Sequence, residues 1–180
     1  TIGPVQLSTA QLSEKIGLYY NTRRAALRKV ELQEGKLQYQ GMELAPLSRN
    51  RYFFVEVPGT RIEFFEGQDG RATGLALTND MGVYDYERIE SIPISPDELE
   101  QYAGRYYSPE LEITWNIVTK DDHLVILCRK YVDSKLTPAT RDIFSADWQP
   151  LMSYPQKFMI IFERGPDGMI SGLRVSGNSV

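Results

Sequence analysis

Along most of this chain apolar and polar residues alternate in short runs, and turn residues interrupt the runs at intervals of about ten positions. In the first half the runs fall at 17–21, 26–33, 36–41, 43–48, 51–57, 60–66, 72–78 and 82–89. Val30 and Leu32 share one face, as do Ile62 and Phe64, and Leu75 and Leu77. Between the runs stand turn signals such as Glu34-Gly35, Pro58-Gly59, Asp69-Gly70 and Asn79-Asp80-Met81-Gly82. The second half keeps the phase, with Ile113, Trp115 and Ile117 on one strand and Leu124, Ile126 and Cys128 on the next. Two stretches break the alternation. One opens at Ser8 and the other at Ser95, and each Ser N-cap is followed three residues later by Gln11 or Glu98, the spacing of a capping box. Pro96 takes the first helical position, where its missing N–H costs nothing. Each stretch predicts a helix of about two turns.

The two halves also repeat each other. Leu12, Gly17, Tyr19, Tyr20 and Leu37 return as Leu99, Gly104, Tyr106, Tyr107 and Leu124. Further on, Phe64, Gly67, Asp69, Gly70, Gly74 and Leu75 return as Phe162, Gly165, Asp167, Gly168, Gly172 and Leu173. Each copy must then be one structural unit. A meander of short antiparallel strands has unpaired edges unless it closes, and eight strands enclose an interior that side chains can just fill. The reading is therefore all-β: two tandem eight-stranded antiparallel up-and-down barrels, 1–92 and 93–180, each preceded by a short helix. Two departures from the repeat stand out. Aligning Phe144 with Phe53 gives the second copy a loop seven residues longer, holding Trp148, Pro150, Leu151, Met152, Tyr154 and Pro155. The repeat also runs out where Val180 aligns with Gly82, so the second barrel is one strand short. Either further chain or another segment fills that gap, the lead-in Thr1–Leu7 being a weak candidate.

Composition narrows the function classes. A chain of 180 residues with 42% hydrophobic content is ordinary for globular units of this size. A net charge of −4 and a pI near 5.1 speak against a nucleic-acid surface. No apolar run approaches the ~20 residues of a membrane-spanning helix. The single cysteine cannot form an internal disulfide and decides little about compartment. Because the chain opens on Thr1 with no signal peptide, it reads as a piece of a longer protein whose targeting segment lies upstream.

Candidate chemistry is sparse. No serine has a lysine three residues later, as the Ser-x-x-Lys site of penicillin-binding-type enzymes needs, and no Gly-x-Ser-x-Gly elbow occurs. Tyr19-Tyr20-Asn21 matches the Tyr-x-Asn of such sites, but without the serine it reads as a strand end. The only histidine, His123, aligns with Lys36 and reads as a solvated turn residue. One histidine and one cysteine on separate elements make no zinc site. Asp69-Gly70 and Asp167-Gly168 read as hairpin turns rather than calcium loops. Arg23, Arg24, Arg28 and Lys29 read as an exposed strand face or an intramolecular ion-pair surface, and Cys128 as a buried apolar residue. No catalytic residue, cofactor or metal ligand is expected. The long loop stays open between two readings, a lid over the barrel mouth and a contact surface. Its candidate protein-contact residues are Trp148, Pro150, Met152 and Tyr154.

Three segments carry a resemblance when taken together: Tyr102-Ala-Gly-Arg-Tyr-Tyr-Ser-Pro-Glu-Leu, Leu136-Thr-Pro-Ala-Thr-Arg-Asp-Ile-Phe, and Phe162-Glu-Arg-Gly-Pro-Asp-Gly-Met-Ile-Ser-Gly-Leu. They resemble the lipocalin-like C-terminal domain of serine beta-lactamase-like hydrolases, the class C beta-lactamase and D-aminopeptidase relatives. The likeness covers 95–180 well and 8–90 more loosely. It implies lipocalin-like barrels that follow a catalytic domain, carry no catalytic residues, and act in domain packing, oligomerisation or active-site gating. The expected partners are the protein's own upstream catalytic domain or a second subunit, in the periplasm or elsewhere in a bacterial envelope. The alternative is a barrel that binds a small apolar ligand, as true lipocalins do.

Overall fold

The computed structural model describes residues 5–108, 112–127, 133–148 and 156–177. The chain divides into two compact units, Thr1–Glu90 and Ser91–Val180. The first begins with helix α1 (Thr9–Ser13), held by the full reciprocal capping box of Ser8 and Gln11. Eight strands follow: β1 (Gly17–Asn21), β2 (Ala26–Gln33), β3 (Lys36–Tyr39), β4 (Met42–Pro46), β5 (Arg51–Phe54), β6 (Arg61–Glu66), β7 (Ala72–Asn79) and β8 (Gly82–Ile89). Each pairs antiparallel with its chain neighbours, and β8 returns to pair with β1, so the sheet closes into a barrel. Strand ends fall where the backbone must reverse. Gln40 and Gly41, for example, both take positive φ (53° and 83°), which stops β3 at Tyr39.

The second unit repeats this plan. Its helix α2 (Pro96–Leu99) has the same capping box, from Ser95 and Glu98, and tightens into a 3-10 turn over Glu100–Tyr102. Both helices are shorter than two α-turns, because the chain must leave the barrel end at once to begin the first strand. The strands are β9 (Gly104–Ser108), β10 (Ile113–Lys120), β11 (His123–Leu127), β12 (Ser134–Thr140), β13 (Ile143–Trp148), β14 (Gln156–Arg164) and β15 (Ile170–Gly177). These seven form one antiparallel sheet in chain order that curls into a nearly closed barrel. The fold is thus all-β, two tandem antiparallel barrels with short lead helices, and the second has seven described strands where the first has eight. The lead-in does not close that gap with its described part, since Leu7 packs against the first core.

Inward-facing residues fill each unit. In the first, Tyr19, Val30, Leu37, Tyr52, Phe54, Ile62, Phe64 and Leu75 are buried, with Tyr52 edge-on to Phe64 at 5.5 Å between ring centroids. In the second, Tyr102, Phe144 and Phe162 pack mutually at 4.8 to 5.4 Å around Ile117, Leu124 and Ile160. The expected alternation holds for Ile117 and Trp115, but Ile113, at the start of β10, is exposed. Register corrects the alignment of the long loop. Tyr52 stands opposite Ile62 and Phe144 opposite Ile160, so Phe144 matches Tyr52, not Phe53, and the second hairpin is six residues longer, not seven.

One repeated glycine separates the units. A Cβ at Gly74 would lie 2.7 Å from the Tyr86 carbonyl oxygen of β8, so side chain and neighbouring strand cannot coexist there. At Gly172, its counterpart on β15, the nearest atom is a Glu163 carboxylate oxygen at 3.9 Å. Gly74→Ala should therefore destabilise the first unit by about 1–3 kcal/mol through overpacking. Gly172→Ala should stay within about 0.5 kcal/mol of wild type. Urea unfolding followed by far-UV circular dichroism reads both; because Trp115 and Trp148 lie in the second unit, tryptophan fluorescence should not register the Gly74 variant.

Candidate functional site

The residues proposed as a contact loop are only partly placed. Trp148 ends β13, its backbone paired with Gln156, while Pro150, Met152 and Tyr154 lie outside the described residues, as does Cys128. His123 opens β11 beside the Asp121-Asp122 turn, its Nδ1 2.7 Å from the Asp121 carbonyl oxygen. Asp69 and Asp167 each cap their hairpin: one Oδ1 of each accepts from a backbone N–H two residues on, Arg71 at 3.1 Å and Met169 at 3.0 Å. Asn21 also serves the backbone, donating to the Asp85 carbonyl at 2.9 Å and accepting from the Arg24 amide at 2.8 Å. Among the described residues no group of three His, Cys, Asp or Glu side chains gathers as metal ligands would, and no helix is long and apolar enough to cross a membrane.

The basic run folds back onto its own barrel. Arg24 lies over the Tyr84 ring at 3.9 Å, Arg28 lies 5.9 Å from the Tyr86 ring centroid, and Lys29 pairs with Glu31. A shallow surface cavity of about 470 Å³ borders this turn, lined by Tyr20, Asn21, Arg23, Arg24, Tyr84 and Glu87 among others. Its walls mix both charge signs, so it favours neither an anion nor a cation. In the core of this barrel, burial holds the Tyr39 phenol far above its ordinary value, with Tyr86 adding to the shift and Arg28 opposing it.

The densest polar chemistry is at the helix end of each unit, and sequence reading missed it. The inward phase of β6 runs Ile62, Phe64, Glu66, and that of β14 runs Ile160, Phe162, Arg164. The apolar run therefore ends on a charge aimed at the helix end. A bulge in the facing strand accompanies each charge, and the bulged Thr73 or Ser171 hydroxyl donates to the facing Phe65 or Glu163 carbonyl, at 3.2 Å in both units.

In the first unit Glu66 accepts from Lys15 Nζ at 3.3 Å, from Arg49 Nε at 2.7 Å and from Asn50 Nδ2 at 2.9 Å. Arg49 also reaches Glu14 at 3.1 Å. The Lys15 side chain has 0% exposure and is faced by two carboxylates, Glu14 at 3.8 Å and Glu66 at 3.3 Å. The bond from Asn50 leads the effects that hold the Glu66 carboxyl below its usual range, with Lys15 and Arg49 adding to it. Arg88 of β8 completes the seal, donating to the carbonyls of Glu14, Ile16 and Ala72 at 2.7 to 3.3 Å.

The second unit builds its cluster at the matching positions with other residues. Arg164 grips Asp142 through Nη2 at 2.7 Å and Nε at 2.9 Å, Tyr102 donates to the same carboxylate at 2.8 Å, and Gln101 accepts from Arg164 at 3.0 Å. Lys15, Asn50 and Glu66 have become Tyr102, Asp142 and Arg164. Two backbone bonds are unchanged. The Tyr19 and Tyr106 hydroxyls donate to the last helix-end carbonyls, of Lys15 at 2.6 Å and Tyr102 at 2.9 Å, and the Asn50 and Asp142 carbonyls each accept from a Phe amide at 2.8 Å. Both clusters fasten the helix end to their own barrel, although the buried Asn50 Oδ1 of the first accepts no hydrogen bond. The chain matches no family model and no curated protein.

Burial alone would raise the Asp142 carboxyl, but the hydrogen bonds from Arg164 and Tyr102 and the charges of Arg164 and Arg141 outweigh it and hold it below its ordinary 3.8. A depressed carboxylate contributes stability above its unfolded value and loses that contribution as pH falls through the folded one. Asp142→Asn should cost the second unit about 1–3 kcal/mol at pH 7, because it strips Arg164 of its counter-charge. That gap should be complete above pH 5 and narrow steadily below 3.8, measured by urea unfolding with tryptophan fluorescence at a series of pH values.

Proposed function

We propose that this chain is a non-catalytic accessory region that acts by protein contact, of the kind appended to serine beta-lactamase-like hydrolases. It packs against an upstream catalytic domain or a second subunit, or gates the neighbouring active site, in the bacterial periplasm or another extracytoplasmic setting. The carrying observation is how the interiors are used. Aromatic and aliphatic side chains fill both units, and the ionisable groups that cluster at the barrel ends are spent on pairs that fasten helix to barrel. A filled barrel favours contact over ligand storage, since a lipocalin-type site needs a cavity of several hundred Å³ inside the sheet. The three segments that resemble the appended lipocalin-like domain add the kind of enzyme served. Trp148, Pro150, Met152 and Tyr154 supply the contact, as large apolar residues on a hairpin longer than its counterpart.

The test begins upstream of Thr1, where a Ser-x-x-Lys helix is expected. The domain carrying it, mixed with this chain, should form a complex or change its kcat/KM severalfold, and the joint Trp148→Ala, Met152→Ala, Tyr154→Ala variant should weaken that effect at least tenfold. The absence of both binding and a kinetic change would defeat the reading. Fatty acids titrated into the chain should leave tryptophan fluorescence unsaturated; a saturable micromolar response would instead favour the ligand-binding barrel.

A further inference from the structure

The two helix ends differ in how they bear the loss of a carboxylate charge. Lys15 Nζ is enclosed, and its acceptors are two carboxylates, Glu66 at 3.3 Å and Glu14 at 3.8 Å. Among the described residues it has no neutral acceptor. Protonating both acids therefore leaves an ammonium with no counter-charge in a site closed to water, a strongly destabilising state. Arg164 is better placed. If Asp142 loses its charge, the guanidinium keeps the Gly168 carbonyl at 2.6 Å and Gln101 Oε1 at 3.0 Å, and its side chain is 22% exposed to water. Tyr102, which stands where Lys15 does, seats the second helix end through its ring on Phe144 and Phe162. Glu and Asp are divided evenly between the units, so general protonation burdens both alike.

We infer that the first unit is an acid-sensitive switch: on acidification it opens from the end that encloses Lys15, while the second unit stays folded. The sign follows from the carboxylates. The bond from Asn50, with Lys15 and Arg49 adding to it, holds Glu66 below its ordinary 4.5. Its contribution is therefore complete above 4.5 and is lost as pH falls through the lower folded value. Around Lys15 and its two acids stand Arg49 and Asn50 of the β4–β5 loop, Arg88 of β8, and the phenols of Tyr19 and Tyr52. On the β6–β7 turn beside them, Asp69 accepts from the Arg71 amide. Burial raises both phenols, Tyr52 to about 12, so neither is charged in acid. Acid thus leaves Lys15, Arg49 and Arg88 together with no anion between them. Opening spreads because this segment is tied to the closing strand. Arg88 holds the Glu14 and Ile16 carbonyls, the Ala72 amide holds Glu14, and the Tyr19 hydroxyl holds Lys15. These bonds do not titrate in acid; when the segment leaves, β8, β7 and β1 lose them together. The inference rests on this cluster and holds whether or not the chain serves a hydrolase.

An acid titration of the full chain tests this. Both tryptophans lie in the second unit, so far-UV circular dichroism should fall by roughly half at a pH where tryptophan emission is still native. The two midpoints should lie at least ~0.5 pH unit apart. Lys15→Met, which removes the enclosed charge, should lower the first midpoint by at least ~0.5 pH unit. Glu66→Gln should open the first unit near neutral pH, and adding Lys15→Met to it should restore folding. A single coincident transition would overturn the inference, as would tryptophan emission that changes first or a first unit that stays folded down to about pH 2. It would also fall if the Lys15→Met chain opened at the wild-type pH or above, or if Lys15→Met failed to rescue Glu66→Gln.

Discussion

The pairing of β1 with β8 governs the first unit, because it is the step that turns a meander into a closed ring. A strand left at an edge presents a row of unsatisfied amides and carbonyls and leaves apolar side chains under thin cover. Once Leu18, Tyr19 and Tyr20 find Ile89, Arg88 and Glu87, each strand has two neighbours and the inward residues close over one another. The same strand brings Arg88 onto the carbonyls where α1 leaves the barrel, so ring closure and the fastening of the helix are one event. Gly17 and Gly74 belong to this arrangement. A Cβ at Gly17 would crowd the Arg88 guanidinium at 3.0 Å, and one at Gly74 would strike the β8 backbone.

Beyond that ring, the two units solve one problem with different chemistry. A short helix must be held at a barrel end without leaving charges stranded in an apolar surrounding. The first unit uses two acids and two bases, with Lys15 fully enclosed between them. The second uses a bidentate arginine–aspartate pair with a tyrosine hydroxyl on the same carboxylate, and sets the Tyr102 ring against Phe144 and Phe162. What survives unchanged is the part that depends on backbone geometry alone, the tyrosine hydroxyl on the helix-end carbonyl and the Phe amide on the Asn50 or Asp142 carbonyl.

This division explains what could be read from the residues and what could not. Strand positions, the duplication and the short second sheet were legible because alternation and turn glycines report directly on a pleated backbone. The polar clusters were not, because a search for identity is blind where Glu66 answers to Arg164 and Asn50 to Asp142. The available signal was a charged residue in the inward phase just after Ile62 and Phe64. The loop was misjudged by one residue because Tyr52, Phe53 and Phe54 are all aromatic, and only cross-strand register shows that the buried Tyr52 is the true match of Phe144. The contact residues beyond Trp148 lie outside the described strands, and sequence alone places them.

Tandem copies of one fold run a particular risk while they are being made, since equivalent segments can be exchanged between neighbours. The lysine and tyrosine at the helix ends work against that error. An α2 seated on the first barrel would deprive Glu66 of Lys15, and an α1 seated on the second would leave Phe144 and Phe162 without the Tyr102 ring. Divergence at that one position gives a freshly synthesised chain a means of sorting its halves by fit, so that each lead segment is matched to its own sheet.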